Sequence, residues 1–264
     1  MGEAPSSASQ AARLLDINRR FYDALWNDAN LVEPDRFNTW PLVTSLLTPA
    51  QRRLEVAPGL RPRLPIEGTQ FVDYSVPAVA KLRARGADAV AGQVTSLPFA
   101  DRTFDLLCAL DIVEHVDDDE KAWAELGRVA CDGATLLVSV PLHPSFWTAF
   151  DDFVGHHRRY EPERLLERLL QNGFVVEKSA VFGMQPKSSR LLDLGMWFLV
   201  HQRERAMWWY NKIFMPLGVH FQSKLSFAEG MIAADNVAEV LLVCRKTHPA
   251  RAASTDPPPT TRDI

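Results

Sequence analysis

Cysteine is scarce. Cys108, Cys131 and Cys244 are the three in 264 residues, far apart and without the paired spacing of a zinc site. Cys108 and Cys244 lie inside apolar, strand-like runs, so buried thiols in a reducing compartment are expected in place of a disulfide framework. A surplus of either charge is also missing. With 29 Lys and Arg against 33 Asp and Glu, the formal net charge of -4 offers no general basic surface, and no nucleic-acid partner is expected. No apolar run reaches the roughly 20 residues of a membrane-spanning helix. The opening residues, Met1-Gly2-Glu3-Ala4-Pro5, hold no basic region leading into an apolar core, so no secretory signal is expected and the expected location is cytoplasmic.

What is present is ordinary for a soluble globular chain, with 47% hydrophobic and 23% charged residues. The length suits one α/β domain carrying an insertion. Apolar spacing predicts helices over residues 11–26, 36–47, 76–85, 119–129 and 161–171. Short apolar runs predict strands over 54–56, 70–74, 89–92, 103–110, 134–140, 174–182 and 238–244. The run at 134–140 is almost continuously apolar and reads as a strand buried on both faces. Strands alternating with helices imply a parallel, doubly wound sheet. Residues 1–10 and 248–264 are small, polar or proline-rich and are expected to be disordered.

The chemistry concentrates at strand ends. The first strand carries Glu55 and runs into a loop, Ala57-Pro58-Gly59-Leu60-Arg61, while the second ends on Asp73. Ligands of open parallel sheets bind outside the carboxyl ends of the strands, so both acids fall at the mouth of one crevice. A carboxylate there suits the two hydroxyls of a ribose. Gly59 permits close backbone approach to a nucleotide-like ligand.

A longer passage, Ala91-Gly92-Gln93-Val94-Thr95-Ser96-Leu97-Pro98-Phe99-Ala100-Asp101-Arg102-Thr103-Phe104-Asp105, followed by Asp111-Ile112-Val113-Glu114-His115, resembles the class I S-adenosylmethionine-dependent methyltransferases. The likeness is to the subgroup related to ubiquinone and menaquinone methyltransferases. It runs from about residue 53 to 182 and includes Gly155-His156-His157-Arg158-Arg159-Tyr160. It implies a Rossmann-like, seven-stranded sheet in a domain spanning 11–247, with a helical N-terminal cap over 11–50 and a helical lid inserted at 183–237. The implied cofactor is S-adenosylmethionine. Glu55 would face its amino group, Ala57, Pro58 and Gly59 would line it, and Asp73 would hold the ribose. Tyr74, Gln93 and Val94 would meet the adenine, Leu110 and Asp111 would flank the methionine end, and Tyr22 of the cap would fold over the pocket.

The chain departs from the family pattern at the glycine loop, where Ala57 and Arg61 stand in glycine positions. Pro62 and Pro65 forbid a regular helix after the loop. Arg61 or Arg63 could offset the lost helix dipole by pairing with the cofactor's carboxylate. His143, after the fifth strand, is the best-placed candidate base, with His115 and His156 as further candidates. Asp111, Glu114 and His115 are spaced to share a helical turn, and His143 could complete a metal site with them, although no metal is expected. Arg158 and Arg159 either bind an anionic substrate group or latch onto Asp151 and Asp152.

The insertion holds Met196, Trp197, Phe198, Met207, Trp208, Trp209, Tyr210, Phe214, Met215 and Phe221, with basic residues between them. It reads as a lid over an apolar substrate, a peripheral membrane contact, a dimer surface or a plain helical subdomain. The expected reaction is methyl transfer to a small, apolar or lipid-like acceptor, the alternative being a noncatalytic binding or scaffold subunit. Oligomeric state is left open.

Overall fold

The structure, a computed structural model, describes residues 23, 25–26, 29–183 and 208–247. Most of the helix expected over 11–26, including Tyr22, lies outside the described residues, as do residues 184–207 of the insertion and the tail from 248. Asp23, Leu25 and Trp26 are helical.

Five strands, β1 (Arg53–Val56), β2 (Thr69–Asp73), β3 (Asp88–Ala91), β4 (Phe104–Leu110) and β5 (Ala130–Pro141), form the parallel half of the sheet in the order β3-β2-β1-β4-β5. Three more complete it: β6 (Phe174–Val181), the two-residue β7 (Ala228–Glu229) and β8 (Glu239–Lys246). The full order is β3-β2-β1-β4-β5-β8-β6-β7. Two expectations need correction here. The sheet has eight strands where seven were expected, because the insertion contributes β7 at the edge. It is also not wholly parallel, since β8 runs antiparallel to both β5 and β6. Both neighbours of β8 are parallel to each other, so the last strand can slot between them only from the opposite end.

Local chemistry sets the flanking helices. α1 (Trp40–Leu46) begins with a proline in its first turn, and a single 3-10 turn, Pro34–Arg36, precedes it. The expected start at residue 36 is therefore early by four residues, as prolines favour the first turn. α2 (Val76–Ala84) is capped by Ser75, whose side chain accepts from the Ala78 N–H. α3 (Asp119–Val129) is capped by Asp118 and buries Ala122, Trp123, Leu126 and Val129 against the sheet. α4 (Ala149–Val154) starts with a Thr148–Asp151 capping box. α5 (Pro162–Gln171) stops at Asn172-Gly173, with Gly173 at positive φ. In the insertion, a π-helical turn (Tyr210–Phe214) leads into α6 (Met215–His220). No described helix is long and apolar enough to cross a membrane.

The described part of the insertion is stitched to the N-terminal segment. The Asn38 N–H donates to Gln222, the Asn38 amide donates to the Ser223 carbonyl, and Val219 packs with Phe37. This part of the insertion exposes Trp208, Trp209, Ile213, Leu217 and Phe221, the last by 74%, beside the exposed Lys212 and His220.

Backbone strain gathers at the carboxyl rim. Ala57 follows β1 with φ 55°, Asp111 follows β4 with φ 50°, and His143 lies just beyond β5 with φ 57°. Left-handed backbone costs a residue with a Cβ roughly 1–2 kcal/mol, and such strain persists where a site requires it. Replacing Ala57 with glycine removes that cost at the expense of some chain entropy. Ala57→Gly is therefore expected to raise stability by about 0.5–1 kcal/mol in urea unfolding. A loss of stability would mean that the Ala57 methyl contributes more by packing than its backbone costs.

Candidate functional site

Glu55 is the last but one residue of β1, opposite Phe71 on one side and Cys108 on the other. Its carboxylate is 3% exposed, as a residue, and receives three backbone contacts. The Arg63 N–H lies 2.8 and 3.0 Å from its two oxygens, and the Leu64 N–H donates to Oε2 at 2.9 Å. Asp73 plays the matching part at the end of β2. The Gly59 N–H donates to one of its oxygens and the Ser75 N–H to the other, both at 2.8 Å. The two acids therefore fasten the 57–64 loop, a role that sequence reading did not assign to them. That loop has no helix in it, as Pro62 and Pro65 required.

Each carboxylate oxygen has two lone-pair directions, so these bonds leave acceptor capacity toward the crevice. Burial pushes both groups up: Glu55 to about 7 and Asp73 to about 6, with the backbone N–H bonds pulling the other way.

Around the loop, Trp26 lies so close to Gly59 that a Cβ there would collide with its indole ring. The cap is thus brought onto the loop, and Gly59 at φ 55° is the residue that allows it. The Arg61 guanidinium sits 5.1 Å from the Trp26 ring centroid, and that of Arg63 sits 3.6 Å from the Phe37 centroid. Tyr74 is 41% exposed at the rim, Gln93 is exposed, and Val94 points into the core. The Gly92 N–H donates to the Asp73 carbonyl, tying the adenine-side segment to β2. Leu110 packs into the apolar cluster behind the crevice. Asp111 accepts at 2.5 Å from the Ser139 hydroxyl of β5.

A second group of side chains lies beyond β4 and β5. Glu114 is 1% exposed, and burial followed by the nearby Asp111 drives its carboxyl far above the usual range. His156 Nδ1 is 2.8 Å from Asp151, whose carboxylate also accepts from Arg159 Nε at 2.9 Å, Arg159 Nη2 at 3.1 Å and the Thr148 hydroxyl at 2.8 Å. These bonds hold Asp151 well below the normal carboxylate range even though its burial opposes them. His156 Nε2 faces Glu114 Oε1 at 4.0 Å, and the His115 ring meets the His156 ring edge-on at 4.6 Å.

Both histidines favoured as bases are engaged by neighbouring groups. His143 Nε2 is 2.7 Å from the Ala234 carbonyl, and Nδ1 lies 3.7 Å from Glu161, so the ring bridges the insertion and α5. Burial, followed by His156 and His157, pushes the His115 imidazole down to about 3. His156, the third candidate, lies between Asp151 and Glu114. The signal was in the sequence, as Asp151 precedes Gly155-His156 by one helical turn. Arg158 and Arg159 form a latch: Arg159 grips Asp151 and Arg158 pairs with Asp119. A groove of about 820 Å³ lies at the opposite, amino-terminal edge of the sheet, lined by Arg53, Thr69, Gln70 and Asp88, away from all of these groups.

Comparison with known proteins gives a consistent answer. A family model described as a methyltransferase domain matches residues 68–138. The chain is 34% identical over 109 residues to a demethylmenaquinone methyltransferase of Renibacterium salmoninarum, covering 37% of this chain and 44% of that one. It is 30% identical over 154 residues to the same enzyme from Mycobacterium sp. strain KMS, covering 55% and 66%. With the demethylmenaquinone methyltransferase of Mycolicibacterium paratuberculosis the identity is 31% over 163 residues, covering 58% and 70%. The matches thus span from under half to about two thirds of these relatives. Among solved structures, an S-adenosylmethionine-dependent methyltransferase from Thermotoga maritima superposes with a TM-score of 0.53 at 18% identity, covering 91% and 96%. The [4+2]-cyclase SpnF gives 0.56 at 18% identity, covering 94% and 98%. At such identities the likeness speaks for the fold alone.

The raised Glu55 carboxyl has a measurable consequence. Between its ordinary value of 4.5 and about 7, the folded chain keeps a proton that the unfolded chain has released. Stability from this group is therefore complete below pH 4.5 and is lost as the pH climbs through 7. Urea unfolding at intervals from pH 5 to 8 is expected to show this downward component in the wild type and to lack it in Glu55→Gln. Parallel profiles would show that another group titrates there.

Proposed function

We propose that this chain, which belongs to the type 11 group of class I S-adenosylmethionine-dependent methyltransferases, transfers a methyl group from S-adenosylmethionine to a small, apolar, quinone-like acceptor. The observation that carries the reading is the pair of buried acids, Glu55 and Asp73, fastening a glycine-containing loop at the carboxyl edge of the sheet. That edge is where open α/β sheets bind ligands, and the acids retain lone pairs to offer.

The bound cofactor supplies a methyl group on a sulfonium, already activated for transfer. The residues present suit it. Asp73 would accept from the ribose hydroxyls and Glu55 would face the ammonium of the methionine end. Arg63, stacked on Phe37 beside Glu55, is better placed than Arg61 to meet the carboxylate. Ala57 and Pro58 would line the loop side, Tyr74, Gln93 and Val94 the adenine, Leu110 and Asp111 the methionine side, and Tyr22 would close from the cap. Holding donor and acceptor in line is most of what such a transfer asks of a protein. The acceptor's reacting group would lie against Glu114 and His156, the electron-rich end of the crevice.

The quinone-like acceptor rests on the similarity to demethylmenaquinone methyltransferases. The exposed stripe of Trp209, Ile213, Leu217 and Phe221, spaced every four residues, suits delivery of such an acceptor from a membrane surface. Three free cysteines accord with a reducing, cytoplasmic setting.

Calorimetry with S-adenosylmethionine and with NAD tests the cofactor, and labelled-methyl transfer to a reduced, demethylated naphthoquinone tests the reaction. Binding of S-adenosylmethionine alone is expected, weakened about 10- to 100-fold in Asp73→Asn by loss of a charged hydrogen-bond acceptor. No binding of S-adenosylmethionine rejects the proposal. Tight binding with no transfer to any quinol, phenol or lipid acceptor would instead favour a noncatalytic subunit.

A further inference from the structure

We infer that the outer face of the insertion, over residues 208–224, is a docking surface for an anionic lipid bilayer. From Trp208 to His220 the chain is continuously helical, through the π-helical turn and then α6. One side of this helix is already occupied. The Asn211 amide donates to the Leu25 carbonyl at 3.2 Å, Val219 packs with Phe37, and Gln222 accepts from the Asn38 N–H at 2.6 Å. These contacts fix which side faces out.

Residues four apart are neighbours on a helix surface. Trp209, Ile213 and Leu217 are exposed in one row, and Phe221, whose N–H bonds the Leu217 carbonyl, extends it past the helix end. Beside it lies a second exposed row, Lys212, Pro216 and His220, continued by Lys224. Trp208, also exposed, meets Trp209 edge-on at 5.5 Å. An apolar row with a tryptophan pair and flanking lysines is the make-up of a helix that lies in the plane of a membrane interface. Its rings sink to the headgroup boundary while the ammonium groups stay among the headgroups.

Charge selects the occupant. The chain as a whole is acidic, with 33 Asp and Glu against 29 Lys and Arg. Between Glu204 and Glu229 no acidic residue occurs, whereas Arg205, Lys212 and Lys224 do. A second copy of the chain, meeting this face through a two-fold axis, would set the same basic row against itself. Anionic headgroups complement it. The face also connects with the crevice, because Leu25, held by Asn211, is followed by Trp26, whose ring lies on Gly59. Docking itself does not require methyl transfer; only the entry of an apolar acceptor from the bilayer rests on the proposed activity.

The test uses the full chain without cofactor or acceptor, so its failure leaves the methyl-transfer reading untouched. Cosedimentation is expected with vesicles of phosphatidylcholine and phosphatidylglycerol in equal parts, and to be at least about fivefold weaker with phosphatidylcholine alone. Leu217→Glu combined with Phe221→Glu is expected to weaken binding at least about tenfold. Lys212→Glu combined with Lys224→Glu should abolish the preference for the anionic vesicles. All four positions are exposed, and far-UV circular dichroism checks that both variants fold. Should either fail to fold, quenching of wild-type tryptophan fluorescence by brominated anionic lipid decides in its place. Any of four results overturns the assignment: no binding or no quenching with anionic vesicles, equal binding to both compositions, wild-type behaviour in either folded variant, or self-association through this face in place of vesicle binding.

Discussion

Two carboxylates, on adjacent strands, each bound to backbone N–H groups of the connecting chain, hold this structure's working edge together. Glu55 anchors the far end of the 57–64 loop through Arg63 and Leu64, and Asp73 anchors its middle through Gly59. A loop with proline at 58, 62 and 65 cannot satisfy its own N–H groups by forming a helix. Burying a carboxylate is unfavourable unless it is well bonded, and hydrogen bonds to charged groups contribute roughly 1.5–3 kcal/mol each. The acids and the loop thus solve each other's problem. Everything else at the crevice takes its place from that frame: Trp26 on Gly59, Arg63 on Phe37, and the Gly92 segment on Asp73.

The frame also explains why the chain can dispense with glycine at 57 and 61. In the related dinucleotide-binding loop, glycines make room for a phosphate over a helix N-terminus. Here no helix follows, so its dipole is lost and a fixed charge must replace it. In the proposed reading Arg63, held beside Glu55, would be that charge. A zwitterionic amino-acid end, carrying a cation and an anion side by side, is the natural complement of an Arg–Glu pair.

Much of this was legible from residue order. The short apolar runs marked β1, β2, β4, β5 and β8 within a few residues, and Glu55 and Asp73 fell at or next to strand ends as expected. What could not be read was geometric. Nothing in the apolar pattern of 238–244 distinguishes a parallel from an antiparallel strand, because a strand buried on both faces looks alike in either direction. The backbone partners of Glu55 were invisible, since a main-chain N–H leaves no trace in residue identity. His143 looked better placed than His156 because it directly follows a strand. His115 and His156 are 41 positions apart, and only the folded chain, with Arg159 just beyond anchored to the Leu142 and Ala238 carbonyls, brings the two rings together.

The most direct measurement is amide hydrogen exchange at Gly59, Arg63 and Leu64, in the wild type and in Glu55→Gln. If the carboxylate holds the loop, the Arg63 and Leu64 amides are protected in the wild type and lose at least about tenfold of that protection in the variant, while Gly59, bonded to Asp73, changes less. Equal exchange at Arg63 and Leu64 in the two proteins would contradict the account, since the loop would then be held by something other than the buried acid.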